Sequence, residues 1–263
     1  MSGRLTASLA GALIALLPWQ PVWASVPRQL LTLGVGSAGT GFPTGAVSCW
    51  NLDEASGTRN DAIGTNHLTD NNTVTQAAGK VGNAAQFTAA NSEYLSRASN
   101  ATLQTGDIDF TVAAWVYLDS KATSRYIMAK GGAGLTLEYQ LYYHQASDRL
   151  RFEIFDVAVN SVGVADAVEI GSPSTGTWYF IVAWHDAAAN TVSIQVNNGT
   201  VSSAATTGTI TADVQHFVIG NNGFGDNLFF DGRVDVAAFW KRVLTSAERT
   251  ALYNGGNGRA CGS

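Results

Sequence analysis

The acidic side chains Glu153 and Asp156 are the nearest approach to a pair of catalytic carboxylates in one strand. Retaining cleavage of a glycosidic bond needs two carboxyl groups about 5 Å apart. Successive side chains of a strand point to opposite faces, so residues three apart cannot share one. The Glu153-Ile154-Phe155-Asp156 segment therefore does not supply the pair.

The histidines and serines give no further catalytic pattern. His67, His144, His185 and His216 lack the mutual spacing of metal ligands. No Gly-x-Ser-x-Gly segment indicates a nucleophile elbow. We identify no catalytic residue. Whether the chain is an enzyme is uncertain, and a polysaccharide hydrolase or lyase is the least favoured alternative.

Polar side chains at alternate positions of three predicted strands indicate a binding face. If these strands are neighbours, the face comprises Thr136, Glu138, Gln140, Tyr142, Arg149, Arg151, Glu153, Thr191, Ser193 and Gln195. An aromatic ring among hydrogen-bond donors and acceptors suits neutral sugar hydroxyls. We expect Glu138, Tyr142 and Arg151 to contact such a ligand. The alternative is an ordinary solvated sheet face.

The elements that must position these residues are mostly strands. Alternating or β-rich runs separated by turn residues predict strands at 47–52, 109–118, 124–129, 136–143, 149–155, 178–185, 191–196, 217–219 and 233–240. One short helix follows the capping box Thr245-Ser246-Ala247-Glu248. Gly255 and Gly256 supply its left-handed end.

Composition excludes several classes of protein. Only 13% of the 263 residues are charged and 46% are hydrophobic, which argues against disorder. Fifteen Lys and Arg against 20 Asp and Glu argue against nucleic-acid binding. The length allows one large all-β domain.

The amino-terminal segment has the pattern of an export signal. Residues 1–24 combine Arg4, an apolar run at 9–17 and small residues at Val22 and Ala24 before a possible cleavage site. The run is too short for a membrane span, and no later window predicts one. Residues 25–45 are predicted to be a linker. The alternative is an uncleaved arm that docks on a partner, as in a subunit of a larger particle.

Cys49 and Cys261 are the two cysteines of the chain and can form only one pair. Export would allow a disulfide between the ends of the domain. In a reducing compartment both would remain free thiols.

Six segments, in order, resemble the laminin-G-like jelly roll of the concanavalin-A-like lectin/glucanase group. They are Cys49-Trp50-Asn51-Leu52-Asp53-Glu54, Gly79-Lys80-Val81-Gly82-Asn83-Ala84-Ala85-Gln86-Phe87, Asp109-Phe110-Thr111-Val112-Ala113-Ala114-Trp115, Thr177-Trp178-Tyr179, Phe230-Asp231-Gly232-Arg233-Val234-Asp235 and the capped helix after Arg242. The resemblance covers 46–256 and implies an all-β, two-sheet antiparallel sandwich with a short C-terminal helix, followed by a tail at 257–263.

The resemblance also implies a structural calcium ion. Ca²⁺ takes six to eight oxygens, usually from loops. Asp61 and Asn66 could supply side chains and Gly64 a carbonyl, with Asp53 and Asp235 joining if the first and last strands are neighbours. The alternative is that these are ordinary Asx turns.

Together these observations favour a secreted or cell-surface recognition module that binds carbohydrate or another surface ligand without chemistry. A structural subunit of a virion or of a cell-surface decoration is the alternative. The expected partner is a carbohydrate or an extracellular protein, not nucleic acid.

Overall fold

The computed structural model describes Met1, Gly3 and residues 41–263, apart from 133–135, 157, 159, 213 and 224–226. The predicted signal at 1–24, except Met1 and Gly3, and residues 25–40 of the predicted linker lie outside the described residues. The chain divides into two units, 1–35 and 36–263. Every element below belongs to the second unit.

The described part of the chain is built mainly of strands. They are β1 (Ala46–Trp50), β2 (Thr69–Asn71), β3 (Thr75–Ala78), β4 (Asn83–Phe87), β5 (Tyr94–Arg97), β6 (Phe110–Leu118), β7 (Arg125–Gly132), β8 (Thr136–His144), β9 (Arg149–Phe155), β10 (Ser161–Asp166), β11 (Trp178–Asp186), β12 (Thr191–Val196), β13 (Val201–Ala205), β14 (Phe217–Ile219) and β15 (Gly232–Trp240). The helix α1 spans Ser246–Tyr253, and short 3-10 turns occupy Ala89–Asn91 and Asn254–Gly256.

The strands form two antiparallel sheets, which confirms the predicted sandwich. One sheet has eight strands in the order β13-β12-β11-β6-β15-β4-β3, with β1 also paired to β15. The other has seven strands in the order β10-β9-β8-β7-β14-β5-β2. The long strand β15 pairs with β6 along one side and with β4 and β1 along the other.

The core lies between the sheets and follows the alternation of apolar residues. Phe110, Val112, Ala114, Val116 and Leu118 of β6 all lie in this cluster and are fully buried. Opposite them, Tyr139 and Phe152 of the seven-stranded sheet pack against Phe110. Burial of aromatic and aliphatic side chains on this scale is the main favourable term in folding.

A second apolar cluster covers part of the outer face of the eight-stranded sheet. Trp115, Trp184 and Trp240 are buried there, although they point away from the core between the sheets. The helix α1 supplies the cover, and Tyr253 stacks on Trp115 with ring centroids 5.8 Å apart. Both faces of β6 are therefore apolar, as its sequence indicates.

The helix α1 begins at the predicted capping box. The Thr245 hydroxyl accepts the N–H of Glu248, and the Glu248 carboxylate accepts the N–H of Thr245. The left-handed end begins at Asn254, with φ of 49°, one residue before the predicted Gly255. Among the described residues, no helix is long and apolar enough to cross a membrane.

The predicted disulfide is present. Cys49 of β1 is bonded to Cys261, 212 residues later in the chain. The N–H of Phe42 also donates to the carbonyl of Ser263. The disulfide and this hydrogen bond therefore join the C-terminal tail to β1 and to the residues just before it.

Replacing both cysteines, Cys49→Ala with Cys261→Ala, should lower the free energy of unfolding by about 4–5 kcal/mol, because the bond closes a loop of 212 residues. Urea unfolding monitored by circular dichroism measures the change. Reduction of the wild-type protein should cause a similar loss and should leave the double variant unaffected. Equal midpoints for oxidised and reduced wild type would contradict the expectation.

Glu248 should make the fold sensitive to acid. The hydrogen bonds from Arg242 lower the pKa of Glu248 from its ordinary 4.5 to about 2. A lowered pKa adds stability above pH 4.5 that is lost as the pH falls toward 2. Because the pair is partly solvent-screened, Glu248→Gln should cost only about 1 kcal/mol at pH 7 and nothing near pH 2. Urea unfolding at both pH values tests this.

The matched control is Glu169→Gln, because Glu169 is exposed and forms no ion pair with any described residue. It should unfold like the wild type at both pH values. If Glu248→Gln lost stability equally at pH 7 and near pH 2, the ionised carboxylate would not be the source of the effect.

Candidate functional site

The outer face of the seven-stranded sheet carries part of the predicted polar face. Gln140 of β8 lies opposite Glu153 of β9, and Tyr142 lies opposite Arg151. On the next strand, Asp166 of β10 lies opposite Arg151. Paired residues of neighbouring strands point to the same side, so these five side chains share one face.

The third predicted run does not join this face. Thr191, Ser193 and Gln195 belong to β12, which lies in the eight-stranded sheet. The Ser193 hydroxyl contacts that of Ser203, and the side-chain Oε1 of Gln195 accepts from Arg249 Nε of α1. The expectation that β12 neighbours β8 and β9 is wrong.

Tyr142 and Arg151 are engaged in an internal network. The Tyr142 hydroxyl donates to Glu153 Oε2 at 2.7 Å, and the Gln140 amide donates to the same oxygen at 3.0 Å. Arg151 donates through Nε and a terminal nitrogen to both carboxylate oxygens of Asp166, at 2.8 and 2.9 Å. Tyr142 is only 4% exposed, so its ring has little open surface for stacking.

The protonation states of Tyr142 and Arg151 are fixed over the whole physiological range. Burial, followed by the charge of Glu153, raises the pKa of the Tyr142 hydroxyl. The hydrogen bonds to Asp166 raise the pKa of Arg151 further above its ordinary value. Tyr142 therefore remains a neutral donor, which makes it unsuitable as a catalytic base.

Glu138 is separated from the Tyr142 network and is buried. A bulge leaves it between two paired residues of β8, Leu137 and Tyr139. Its carboxylate accepts from the N–H and hydroxyl of Thr105 and lies 3.4 Å from the ammonium of Lys130, and both charged side chains are fully buried. The bulge breaks the alternation on which the prediction depended, and Glu138 is not exposed to a ligand.

A cavity of about 270 Å³ lies on the same sheet as the Tyr142 network. It was not predicted from the sequence. We call it the Tyr94–Phe229 cavity. The two rings lie 6.2 Å apart. The rest of its described lining is Gly131, Gly132, Gln215, His216, Val218, Asn221 and Gly223.

Strand pairing places the cavity on the same face as the polar network. Val218 of β14 lies opposite Ala129 of β7, which lies opposite Gln140. The side chains of Val218 and Ala129 are buried, and of the two only Val218 lines the cavity. The cavity and the network therefore lie on the same face of one sheet.

Two glycines let the backbone approach closely at the wall of the cavity. Gly223 has a φ of 82°, and a Cβ atom there would lie 2.5 Å from the carbonyl oxygen of Gly131. A Cβ atom on Gly132 would lie 2.4 Å from Gln215 Oε1. A larger residue would displace the wall at either position.

The predicted calcium ligands fall into two groups. In the first, Asp61 accepts four backbone N–H groups, from Cys49, Ile63, Gly64 and Asn66. These bonds offset burial and lower the pKa of Asp61. The Asn66 side chain bonds Ser48 and Thr102 instead. This loop is a closed Asx-type turn whose carboxylate is already saturated, so it does not fit a cation.

The second group is the Asp53–Asp235 pair, which holds one glycine-rich turn. Asp235 Oδ2 accepts the N–H groups of Lys80 and Val81, and Asp53 Oδ1 accepts that of Asn83. Asp235 is fully buried, and its Oδ1 has no hydrogen-bond partner among the described residues. Burial is the main cause that raises the pKa of Asp235 to about 7, and the charge of Asp53 adds to it.

The Asp53–Asp235 pair fits a hard cation better than the Asp61 loop does. It offers two carboxylates, one buried oxygen without a partner, and an exposed side through Asp53. Within the described ranges, however, no three His, Cys, Asp or Glu side chains come together as a metal cluster. A cation here would take its remaining oxygens from backbone carbonyls and water.

The fold and these sites can now be compared with known proteins. A family model of the concanavalin A-like lectin/glucanases superfamily, Laminin_G_3, matches residues 88–248, which is more than half of the chain. The chain belongs to this superfamily. No curated protein matches it.

Solved structures with the superfamily's fold are similar at low sequence identity. The binding domain of Paraclostridial Mosquitocidal Protein 1 is 13% identical with a TM-score of 0.63, over 81% of this chain and 52% of that one. Trypanosoma rangeli sialidase with sialic acid is 17% identical with a TM-score of 0.60, over 82% and 34%. This chain thus spans about half of the toxin domain and about a third of the sialidase.

This chain matches a third solved structure along nearly the whole length of that structure. Domain 4 of AbnA, a GH43 extracellular arabinanase from Geobacillus stearothermophilus, was solved in complex with arabinotriose. It is 16% identical with a TM-score of 0.56, over 78% of this chain and 97% of that one. Such low identities establish the shared fold and not a shared ligand.

The sequence contains little signal for the Tyr94–Phe229 cavity, even with the superfamily known. Its lining comes from four separate stretches, around residues 94, 131–132, 215–223 and 229. The only local cues are the Gly131-Gly132 pair and Asn221-Asn222-Gly223, which are typical of turns. Only the pairing of β5, β14 and β7 brings them together.

Proposed function

We propose that this chain is an extracellular recognition module that binds a carbohydrate in the Tyr94–Phe229 cavity without cleaving it. The observation that carries the proposal is the composition of the cavity wall. Two aromatic rings lie beside the amides of Gln215 and Asn221 and the imidazole of His216. This arrangement presents an apolar surface and hydrogen-bonding groups to the same small volume.

These groups match the chemistry of a sugar ring. A pyranose or furanose offers C–H groups to an aromatic face, and its hydroxyls need both donors and acceptors. The described lining contains no carboxylate, lysine or arginine, which favours a neutral sugar over a charged one. The arabinotriose complex of the similar arabinanase domain supports the same class of ligand.

The network around Tyr142 supports the cavity and is not the contact surface in this proposal. Its hydrogen bonds fix β8, β9 and β10 against one another in the sheet that carries the cavity. In this proposal Tyr142 and Arg151 do not make the ligand contacts that the sequence predicted, but hold the strands beside the cavity in position. The disulfide supports an extracellular location, because such bonds persist in oxidising compartments.

We also propose that a divalent cation such as Ca²⁺ binds at the Asp53–Asp235 pair and stabilises the fold. The pair lies where β15 meets the turn between β3 and β4. When bound, the ion would offset the repulsion between the two carboxylates and join the last strand to that turn. The Asp61 loop takes no part in this proposal.

Tyr94→Ala should abolish or strongly weaken glycan binding, because it removes one ring of the cavity. Gln215→Ala should weaken binding as well, by about tenfold, and it leaves the backbone contact of Gln215 with Lys130 in place. Screening the purified protein on a glycan array, followed by calorimetry with the best ligand, measures both effects.

The matched control is Tyr142→Phe, which removes a hydroxyl from the same sheet face but keeps the ring. It should lower stability by about 1 kcal/mol and leave affinity unchanged. Thermal unfolding must show that each variant is folded. Retained affinity in folded Tyr94→Ala would remove the cavity as the binding site of that glycan. Loss of affinity in Tyr142→Phe would place the ligand on the polar network instead.

Millimolar Ca²⁺ should raise the melting temperature by about 5 °C or more, because a ligand held only by the native state stabilises it. Asp235→Asn and Asp53→Asn should remove this response. Asp61→Asn should lower the starting stability but keep the response. An unchanged melting temperature after addition of Ca²⁺ or of a chelator would rule out the cation site.

A further inference from the structure

A row of half-exposed and exposed side chains crosses the outer face of the eight-stranded sheet, away from the Tyr94–Phe229 cavity. It consists of Trp178, Tyr117, Arg233, Gln86 and Thr75, on β11, β6, β15, β4 and β3 in that order. Each residue is the cross-strand partner of the next. Four strand spacings give the row a length of about 19 Å.

This row is open, whereas the neighbouring row on the same face is covered. In the neighbouring row, Phe180 of β11 pairs with Trp115 of β6. Phe180 lies two residues after Trp178, and Trp115 lies two residues before Tyr117. Both rings lie under Tyr253 of α1. Trp178 and Tyr117 lie beyond this cover. Of the five tryptophans among the described residues, Trp178 is the one that is not buried.

The polar members of the row are held in place by one another. The Arg233 guanidinium lies over the Tyr117 ring, with Cζ 4.6 Å from its centroid, and its Nε donates to Gln86 Oε1 at 2.9 Å. The Gln86 amide donates in turn to Asp119 at 3.0 Å. Arg233 forms no ion pair with any described residue. Its charge is therefore positioned but not paired with a carboxylate.

The aromatic members form an angled pair. The rings of Trp178 and Tyr117 lie 5.3 Å apart with 56° between their planes. Arg233 covers one face of the Tyr117 ring. The half-exposed ring of Trp178 is therefore the better surface for a ligand to stack on. The row thus begins with an aromatic platform and continues with a guanidinium donor, an amide and a nearby carboxylate acceptor.

We propose that this row is a second carbohydrate site, for a neutral linear oligosaccharide lying across the strands. One sugar ring stacks on Trp178, and the hydroxyls of the following rings meet donors on Arg233 and acceptors on Asp119. The alternation of donors and acceptors suits neutral hydroxyls, because Arg233 and the nearby Asp119 together carry no net charge. About 19 Å accommodates several sugar units.

The two sites lie on different sheets, which gives the module two separate binding faces. No residue of the row lines the Tyr94–Phe229 cavity. The two sites can therefore fail or succeed independently. A module with both sites would hold one glycan chain on each of these faces.

The test uses the purified full chain with cellohexaose, laminarihexaose, xylohexaose, mannohexaose and arabinohexaose as probes. Acrylamide quenching of tryptophan fluorescence reports on Trp178, and the signal of the Trp178→Phe variant identifies its share. At least one hexasaccharide should protect Trp178 from quenching. Calorimetry with that hexasaccharide should show that Trp178→Ala weakens binding by at least about tenfold and Trp178→Phe by much less.

Arg233→Met, which keeps a long side chain over Tyr117 but removes the donors, should also weaken binding. Tyr94→Ala serves as the matched control, since it disables only the cavity. Protection of Trp178 that survives in Tyr94→Ala supports the row as a site of its own. Circular dichroism shows that each variant is folded.

Three outcomes would overturn the row as a sugar site. The first is that none of the hexasaccharides protects Trp178. The second is that Tyr94→Ala abolishes protection while Trp178→Ala keeps full affinity, which leaves the cavity as the only site and the proposed function intact. The third is concentration-dependent self-association that protects Trp178 without sugar, which assigns the row to a second copy of the chain.

Discussion

The pairing of β15 with β6 is the constraint on which most of this structure depends. Both strands are buried along most of both faces, and together they form the centre of the eight-stranded sheet. The inner side chains of the two strands build the core between the sheets. Part of their outer face lies under α1, and Tyr117 and Arg233 at its open end stay half-exposed. Because β15 pairs with both β4 and β1 on its other side, the disulfide and the Asp53–Asp235 pair follow from the same register.

The register of β15 also sets the chemistry of the outer face. Arg233 and Asp235 both point to that face, two residues apart. Asp235 meets backbone N–H groups of the turn after β3 and is buried, whereas Arg233 meets Tyr117 and Gln86 and keeps an open edge. A bulge follows Asp235 directly, and Val236 takes a φ of 43° there. A β-branched residue seldom adopts this conformation, so the surrounding pairing must hold it in place.

The parts of the fold that the sequence predicts are those with a strong pattern of their own. The strand at Phe110–Leu118 and the capped helix carry their signals in consecutive residues. Strands β2, β3 and β13 read TDN, TQAA and VSSAA, and such short polar runs become strands only because a neighbour pairs with them. The two-cysteine count predicted the disulfide partners, but not whether the bond forms.

The candidate site was less predictable, for three physical reasons. A single bulge separates Glu138 from Tyr142 and leaves it buried beside Lys130, and alternation alone cannot reveal a bulge. Sequence proximity did not tell which sheet β12 joins. The sequence suggests Asp61 as a metal ligand, but in the structure its carboxylate oxygens accept hydrogen bonds from the surrounding backbone N–H groups. The Tyr94–Phe229 cavity exists only after four distant stretches come together.

The contact between Phe42 and Ser263 next to the disulfide has a mechanical consequence. A pulling force applied to the two ends of residues 42–263 runs along the first part of β1 to Cys49 and leaves through the Cys49–Cys261 bond. The rest of the sandwich, from residue 50 to residue 260, bears almost none of that tension. Neither the Tyr94–Phe229 cavity nor the row at Trp178 lies on the loaded path, so a ligand held at either place would not be released when the ends are stretched.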